Sequence, residues 1–269
     1  MSAEAEESPI SFPSSSMTKM LTNTLISRSS PISRSLSVKF VTPPYGFGVA
    51  LENGDEFVRA LQSWGRANRR SFPWRETRDP FRILVAEVLL QRSRGKTVAT
   101  IFEELFRRWP DAEALARAGV TSIRSVIRPL GLLRRAETLK GLAAEVVELG
   151  GVPKGLEELL ALRGVGRYAA SATLAVAFER RQGTVDGVTA RVYRRYFGLK
   201  DALPASTDRE LWAVVERVTP RAGVREWNWA VLDLAASVCL PAHPRCEICP
   251  LASDCRWSIE VGASVRAGC

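Results

Sequence analysis

Two glycines one residue apart constrain this chain more than any other feature. They stand in Leu162-Arg163-Gly164-Val165-Gly166-Arg167-Tyr168-Ala169-Ala170, between two apolar patterns of helical spacing. The first pattern is Leu156, Leu159 and Leu160; the second is Ala170, Leu174, Ala177 and Phe178. Without a Cβ at either glycine the chain can reverse tightly between the helices. The amides of Gly164, Val165 and Gly166 then point outward at the start of the second helix, next to Arg167. Amides so placed bind anions and suit one backbone phosphate of a nucleic acid. Composition agrees: 38 basic against 29 acidic residues give a net charge of +9, and only six of the basic residues are lysine. An arginine-rich surface favours phosphate contact.

The rest of the chain reads as helix throughout. Phe57, Leu61 and Trp64 open the ordered region near Asp55 with helical spacing. Ser71-Phe72-Pro73-Trp74-Arg75 is an extended connector, because Pro73 disfavours helix before it. Asp79 caps a helix with Pro80 at its first position, and that helix carries Glu87 among Val85, Ala86, Val88 and Leu89. Further helices are expected over about 96–109, 111–118, 121–128, 134–149, 155–162, 167–180, 187–197, 207–218 and 224–238, punctuated by Pro110, Gly119 and Pro129-Leu130-Gly131. No alternating strand pattern of useful length and no repeat array occurs, so the fold class is all-α. No apolar run reaches the roughly 18 residues that span a bilayer. A single histidine, His243, argues against a Ser-His-Asp site or a His-rich zinc site. Residues 1–50 are rich in Ser, Thr and Pro and have no acidic residue between Glu7 and Glu52. They read as a disordered tail; an organellar transit segment is the less favoured reading.

Near the C-terminus four of the five cysteines cluster as Cys239-x6-Cys246-x2-Cys249-x5-Cys255, and Cys269 is assigned no role. Four thiolates in one short loop can hold either a zinc ion or an iron–sulfur cluster, in a reducing compartment.

Hairpin, an aspartate eighteen residues after Tyr168 (Asp186, in Thr184-Val185-Asp186-Gly187), and the cysteine loop follow one another in an order that resembles the iron–sulfur branch of the helix-hairpin-helix (HhH-GPD) DNA glycosylase superfamily. The resemblance covers about residues 55–257. It implies a two-lobed fold: a helical barrel over 81–185 containing the hairpin, and a second lobe built from 51–80 and 186–269, with a cleft between them. It also implies a [4Fe-4S] cluster on the four cysteines, and double-stranded DNA with a mismatched or damaged base as partner. In such a family Asp186 lies by the sugar of an extruded nucleotide and stabilises an oxocarbenium-like transition state, although capping a helix is the ordinary role of an aspartate there. Glu87, in apolar surroundings that raise a carboxyl pKa, is the expected proton donor. The segment Ala86-Glu87-Val88-Leu89-Leu90-Gln91-Arg92-Ser93 resembles the glutamate-bearing helix of MutY-type adenine glycosylases and of archaeal thymine–guanine mismatch glycosylases.

Tyr168 stands where endonuclease III-type lyases carry a lysine that forms a Schiff base, so the chain is expected to hydrolyse without strong lyase activity. The mismatch enzymes have tyrosine there and the MutY type usually serine. Gln91, Arg92, Leu132 and Leu133 are candidates for filling the gap in the DNA stack, with core packing as the alternative for the two leucines. The function implied is excision of thymine or uracil opposite guanine. The alternatives are adenine excision opposite guanine or oxidised guanine, and a non-catalytic DNA-binding module. A monomer that hands its product to an AP endonuclease is expected, in the cytoplasm or nucleoid of a prokaryotic source.

Overall fold

The computed structural model describes residues 53–260; the tail over 1–50 and Cys269 lie outside them. Among the described residues there is no strand. The helices are α1 (Gly54–Asn68), α2 (Pro80–Leu90), α3 (Gly95–Arg108), α4 (Ala112–Arg117), α5 (Val120–Ile127), α6 (Arg135–Glu148), α7 (Leu156–Ala161), α8 (Arg167–Ala177), α9 (Gly187–Phe197), α10 (Arg209–Val218) and α11 (Val224–Ser237). Short side-chain caps explain several starts. Asp79 Oδ1 accepts from the amides of Phe81 (2.8 Å) and Arg82 (3.3 Å), and Asp111 and Asp208 cap α4 and α10 in the same way. No described helix is long and apolar enough to cross a membrane.

Two apolar cores organise these helices. The first draws on α2 to α8 and on Trp74 of the connector. Helix α2 is its axis: Phe81 and every residue from Ile83 to Leu89 are buried, as befits a helix apolar on all sides. The second core joins Phe57 and Leu61 of α1 to α9, α10 and α11. Phe57 packs its ring against Tyr196 (4.8 Å between centroids), Phe197 (5.2 Å) and Tyr193 (5.6 Å), so the first described helix is completed by residues far along the chain. A third, small patch of Ile83, Val176 and Trp229 joins α2 and α8 to α11.

Helix α8 stops at Ala177, three residues before the sequence pattern ends. Glu179 takes a left-handed backbone (φ +52°), and its carboxylate is held by Arg78 (2.8 Å) and by Arg225. Arg225 is itself buried and donates to the carbonyl of Val176 at 2.8 Å. These contacts select the turn over another helical step at a residue that strongly favours helix.

Candidate active site

Asp186 is fixed by its own helix. It is the N-cap of α9, where Oδ1 accepts from the amides of Val188 (2.9 Å) and Thr189 (2.7 Å) and from Thr189 Oγ1 (2.9 Å). Thr189 Oγ1 also accepts from the Asp186 amide at 2.9 Å, closing a reciprocal capping box. Oδ2 has no hydrogen-bond partner among the described residues. The residue lines a cavity of about 440 Å³, so one oxygen anchors the helix and the carboxylate still faces open space. The approach to Asp186 is fixed by Asn228 of α11, which is buried. Its Oδ1 accepts from the amide and hydroxyl of Thr184, both at 2.9 Å, and its Nδ2 donates to the carbonyls of Gln182 (3.0 Å) and Val224 (2.9 Å). All the amide's main bonding directions are thereby used.

Glu87 and Tyr168 line the same cavity. Glu87 is 8% exposed, and its carboxyl group takes part in no hydrogen bond among the described residues. Burial first, and then the negative charge of Asp186, push its carboxyl pKa up to about 8, against an opposing pull from Arg75. It therefore holds its proton at neutral pH. Burial, then Glu87 and Asp186, raise the phenol of Tyr168 well above its ordinary range, so it remains a neutral phenol. The charge of Asp186 thus reaches both neighbours, and Glu87 in turn reaches Tyr168.

Two residues of this wall were not singled out from the sequence. Arg75 is buried and grips Asp233 of α11 through two parallel bonds, Nη1 to Oδ2 at 2.8 Å and Nη2 to Oδ1 at 2.9 Å. Arg70 adds a bond from Nε to Oδ1 at 2.6 Å. The Arg75 guanidinium also lies over the rings of Trp229 (5.1 Å) and Phe72 (5.5 Å). The partners are 158 positions apart, so no local pattern announces them; the only hint is a charged residue directly after the aromatic run Phe72-Pro73-Trp74. Asp233→Ala strands a buried guanidinium and is expected to cost about 3–5 kcal/mol in chemical denaturation. A loss below about 1 kcal/mol would mean that Arg75 finds water or another acceptor.

On the hairpin, Gly164 has φ +77°, and a Cβ there would meet Thr138 Cγ2 at 2.3 Å, so both backbone and space demand glycine. One expectation needs correction. The amide of Val165 does not point outward: it donates to the carbonyl of Leu162 at 3.2 Å, and the Val165 side chain is buried in the first core. The tight turn uses that donor, leaving the amides of Gly164 and Gly166 and those of the first turn of α8. Arg167, the charged neighbour of the hairpin glycines, is partly exposed and also meets the second core. Its guanidinium lies 3.7 Å over the ring of Trp212 on α10 and 3.6 Å from the carboxylate of Glu216, which joins the hairpin to the second core.

Gln91 and Arg92 follow the end of α2 at the cavity rim. Gln91 Nε2 donates to the carbonyl of Gly164 at 3.0 Å, tying this turn to the hairpin. Leu132 and Leu133 are 43% exposed each, which sets aside the core reading; they do not line the cavity itself.

Cys239, Cys246, Cys249 and Cys255 are half-buried free thiols in the segment after α11, and Cys239, Cys249 and Cys255 pack against the second core. Burial raises the Cys249 thiol to about 11; a bond from the Leu251 backbone opposes this, and the other three cysteines add to it. Four thiols in one loop are a donor chemistry that zinc and iron–sulfur clusters share. Among the described residues no group of three or more His, Cys, Asp or Glu is arranged as a metal-ion site.

Helices in two cores, a glycine hairpin, and two carboxyl groups at one cavity define a class of DNA-repair protein. The family described as HhH-GPD superfamily base excision DNA repair protein matches residues 85–217, and the chain belongs to it. Among its relatives, the thymine/uracil-DNA glycosylase of Pyrobaculum aerophilum is 38% identical over 206 residues, which cover 74% of this chain and 90% of that protein. The solved structure of a thermostable thymine-DNA glycosylase superposes with a TM-score of 0.75 at 32% identity, over 79% of this chain and 99% of the other. The adenine DNA glycosylase of Homo sapiens is 35% identical over 213 residues, but these cover only 39% of that protein.

Proposed function

We propose that this chain is a monofunctional DNA glycosylase that removes thymine or uracil mispaired with guanine. The observation that carries the proposal is the pairing at a single cavity of Asp186, with one oxygen unbonded, and the buried Glu87, whose carboxyl is pushed up to about 8 by that burial. At about 440 Å³ the cavity lies within the size range of small-ligand sites. Mispaired bases are also easier to extrude from the duplex than paired ones. With the nucleotide in the cavity, Glu87 gives its proton to the departing base as the bond to the sugar breaks. The charged Asp186 stabilises the positive sugar, and water adds its hydroxyl to the anomeric carbon while its remaining proton passes to the carboxylates. The products are a free base and an abasic strand, the substrate of an AP endonuclease. Tyr168 supplies an aromatic face for the base and no amine for a Schiff base. The hairpin amides at Gly164 and Gly166, together with Gln91, Arg92, Leu132 and Leu133, hold the duplex around the lesion.

Single-turnover base release from duplexes carrying T:G, U:G, A:G or A opposite oxidised guanine tests this reading. Release from T:G and U:G, with no borohydride-trapped adduct, is the expected result. The adenine DNA glycosylase relatives favour a second reading, and release confined to the adenine duplexes would establish it in place of the first. Binding to all four without release would leave a DNA-binding module.

The four cysteines are proposed to hold a [4Fe-4S] cluster, which would supply cross-links to a loop poor in apolar residues. The purified protein should absorb at about 400 nm and bleach on reduction, and Cys249→Ser should lose that band. A colourless protein with stoichiometric zinc would assign the loop to zinc.

A further inference from the structure

Arg135 is a buried cation that neither the sequence pattern nor the chemistry above uses. It is the first residue of α6, is 8% exposed, and has no acidic partner among the described residues. Its guanidinium instead serves the segment where α2 ends. Nη1 donates to the carbonyl of Leu89 at 3.0 Å and to Ser93 Oγ at 2.8 Å, and Nη2 donates to the carbonyl of Gln91. Helix ends leave carbonyls without intrahelical partners, and a planar fork can satisfy several of them at once. Between the gripped residues, Arg92 has a left-handed backbone (φ +56°). A non-glycine residue keeps that conformation only where its surroundings over-determine it.

The same residue also fixes the leucine loop. The Arg135 amide donates to the carbonyl of Leu132 at 3.0 Å, and that of Ala136 to the carbonyl of Leu133 at 3.1 Å. With Gln91 bonded to Gly164, the turn, the leucine loop and the hairpin form one connected unit. We infer that Arg135 is a positioning residue: it locks the Gln91–Ser93 turn to the Leu132–Leu133 loop so that the groups entering the DNA stack are already in place before the duplex binds. The inference rests on the proposed glycosylase reading and its assignment of the two leucines.

The test follows base extrusion directly, with a fluorescent purine analogue beside the mismatch in a T:G duplex and the full chain. Arg135→Met keeps an unbranched apolar stem and removes the guanidinium with its bonds. It should slow the fluorescence rise about tenfold or more, while affinity for a duplex that already contains an abasic analogue stays within about twofold. Arg135→Lys, which keeps one donor group, should fall between. A purely architectural role predicts instead equal losses in extrusion and abasic-site binding. That result, or an extrusion rate within about twofold of the unaltered chain in a folded Arg135→Met protein, overturns the inference. If the Met variant does not fold, Arg135→Lys is judged by the same two measurements. A Leu132→Ala/Leu133→Ala variant separates the two ideas. Normal extrusion by this double variant alongside slow extrusion by Arg135→Met removes the leucines from their assigned role and keeps the lock. The reverse pattern keeps the leucines and removes the lock. Because fluorescence reports extrusion without bond cleavage, absence of base release by the unaltered chain would be seen separately.

Discussion

Asp186→Asn should lose at least about a thousandfold in single-turnover base release, a loss of about 4 kcal/mol in transition-state stabilisation. The substitution isolates charge from architecture. An asparagine Oδ1 can still accept from the amides of Val188 and Thr189, so the cap of α9 persists and Tm should move by no more than a few degrees. What disappears is the negative charge beside the developing positive sugar. Binding to a mismatched duplex should be retained or tightened, because a carboxylate near phosphates opposes binding. Release within about tenfold of the unaltered chain would remove Asp186 from the chemistry and leave it as a helix cap.

The second large effect is a pH dependence centred on Glu87. With its carboxyl raised from 4.5 to about 8, the donor is protonated at neutral pH. Base release should then decline above about pH 8, approaching tenfold per unit. Glu87→Gln should slow release about 10²–10⁴-fold and abolish this alkaline limb. Persistence of the limb in the variant would assign it to another group. The same shift has a consequence for stability. The folded state favours the neutral acid, so the associated stability is fully present below the ordinary value of 4.5. It is lost progressively as pH rises toward about 8. Glu87→Gln removes that penalty. Its Tm should match the unaltered chain near pH 4.5, allowing for the lost acid itself, and exceed it by several degrees at pH 8 to 9. Denaturation curves that run parallel across this range would contradict the burial argument.

Local signals carried much of this architecture. Asp79-Pro80 marks the start of α2 because capping and a proline at the first turn act within three residues. The glycine turn before α8 and the start of α9 after Asp186 are equally local, and these placed Tyr168 and Asp186 on the right elements. The burial of Glu87 was legible from its apolar neighbours. What the sequence left hidden depends on partners far away. Asp233 meets Arg75 only after the connector and α11 are folded together, and Arg135 looks like any surface arginine until the end of α2 is laid against it. The contact of Arg167 with Trp212, forty-five positions later, was hidden in the same way. The turn after α8 escaped for the same reason, because Arg78 and Arg225 hold Glu179 from two remote segments.

The placement of α1 has a consequence for how the chain acquires this structure. Its buried Phe57 is complete only when Tyr193, Tyr196 and Phe197 arrive, some 140 residues later in synthesis. The first core, by contrast, closes on residues between Trp74 and Leu174. A growing chain can therefore consolidate its middle while its earliest described helix still shows an uncovered apolar stripe, surface of the kind prone to association before folding is complete.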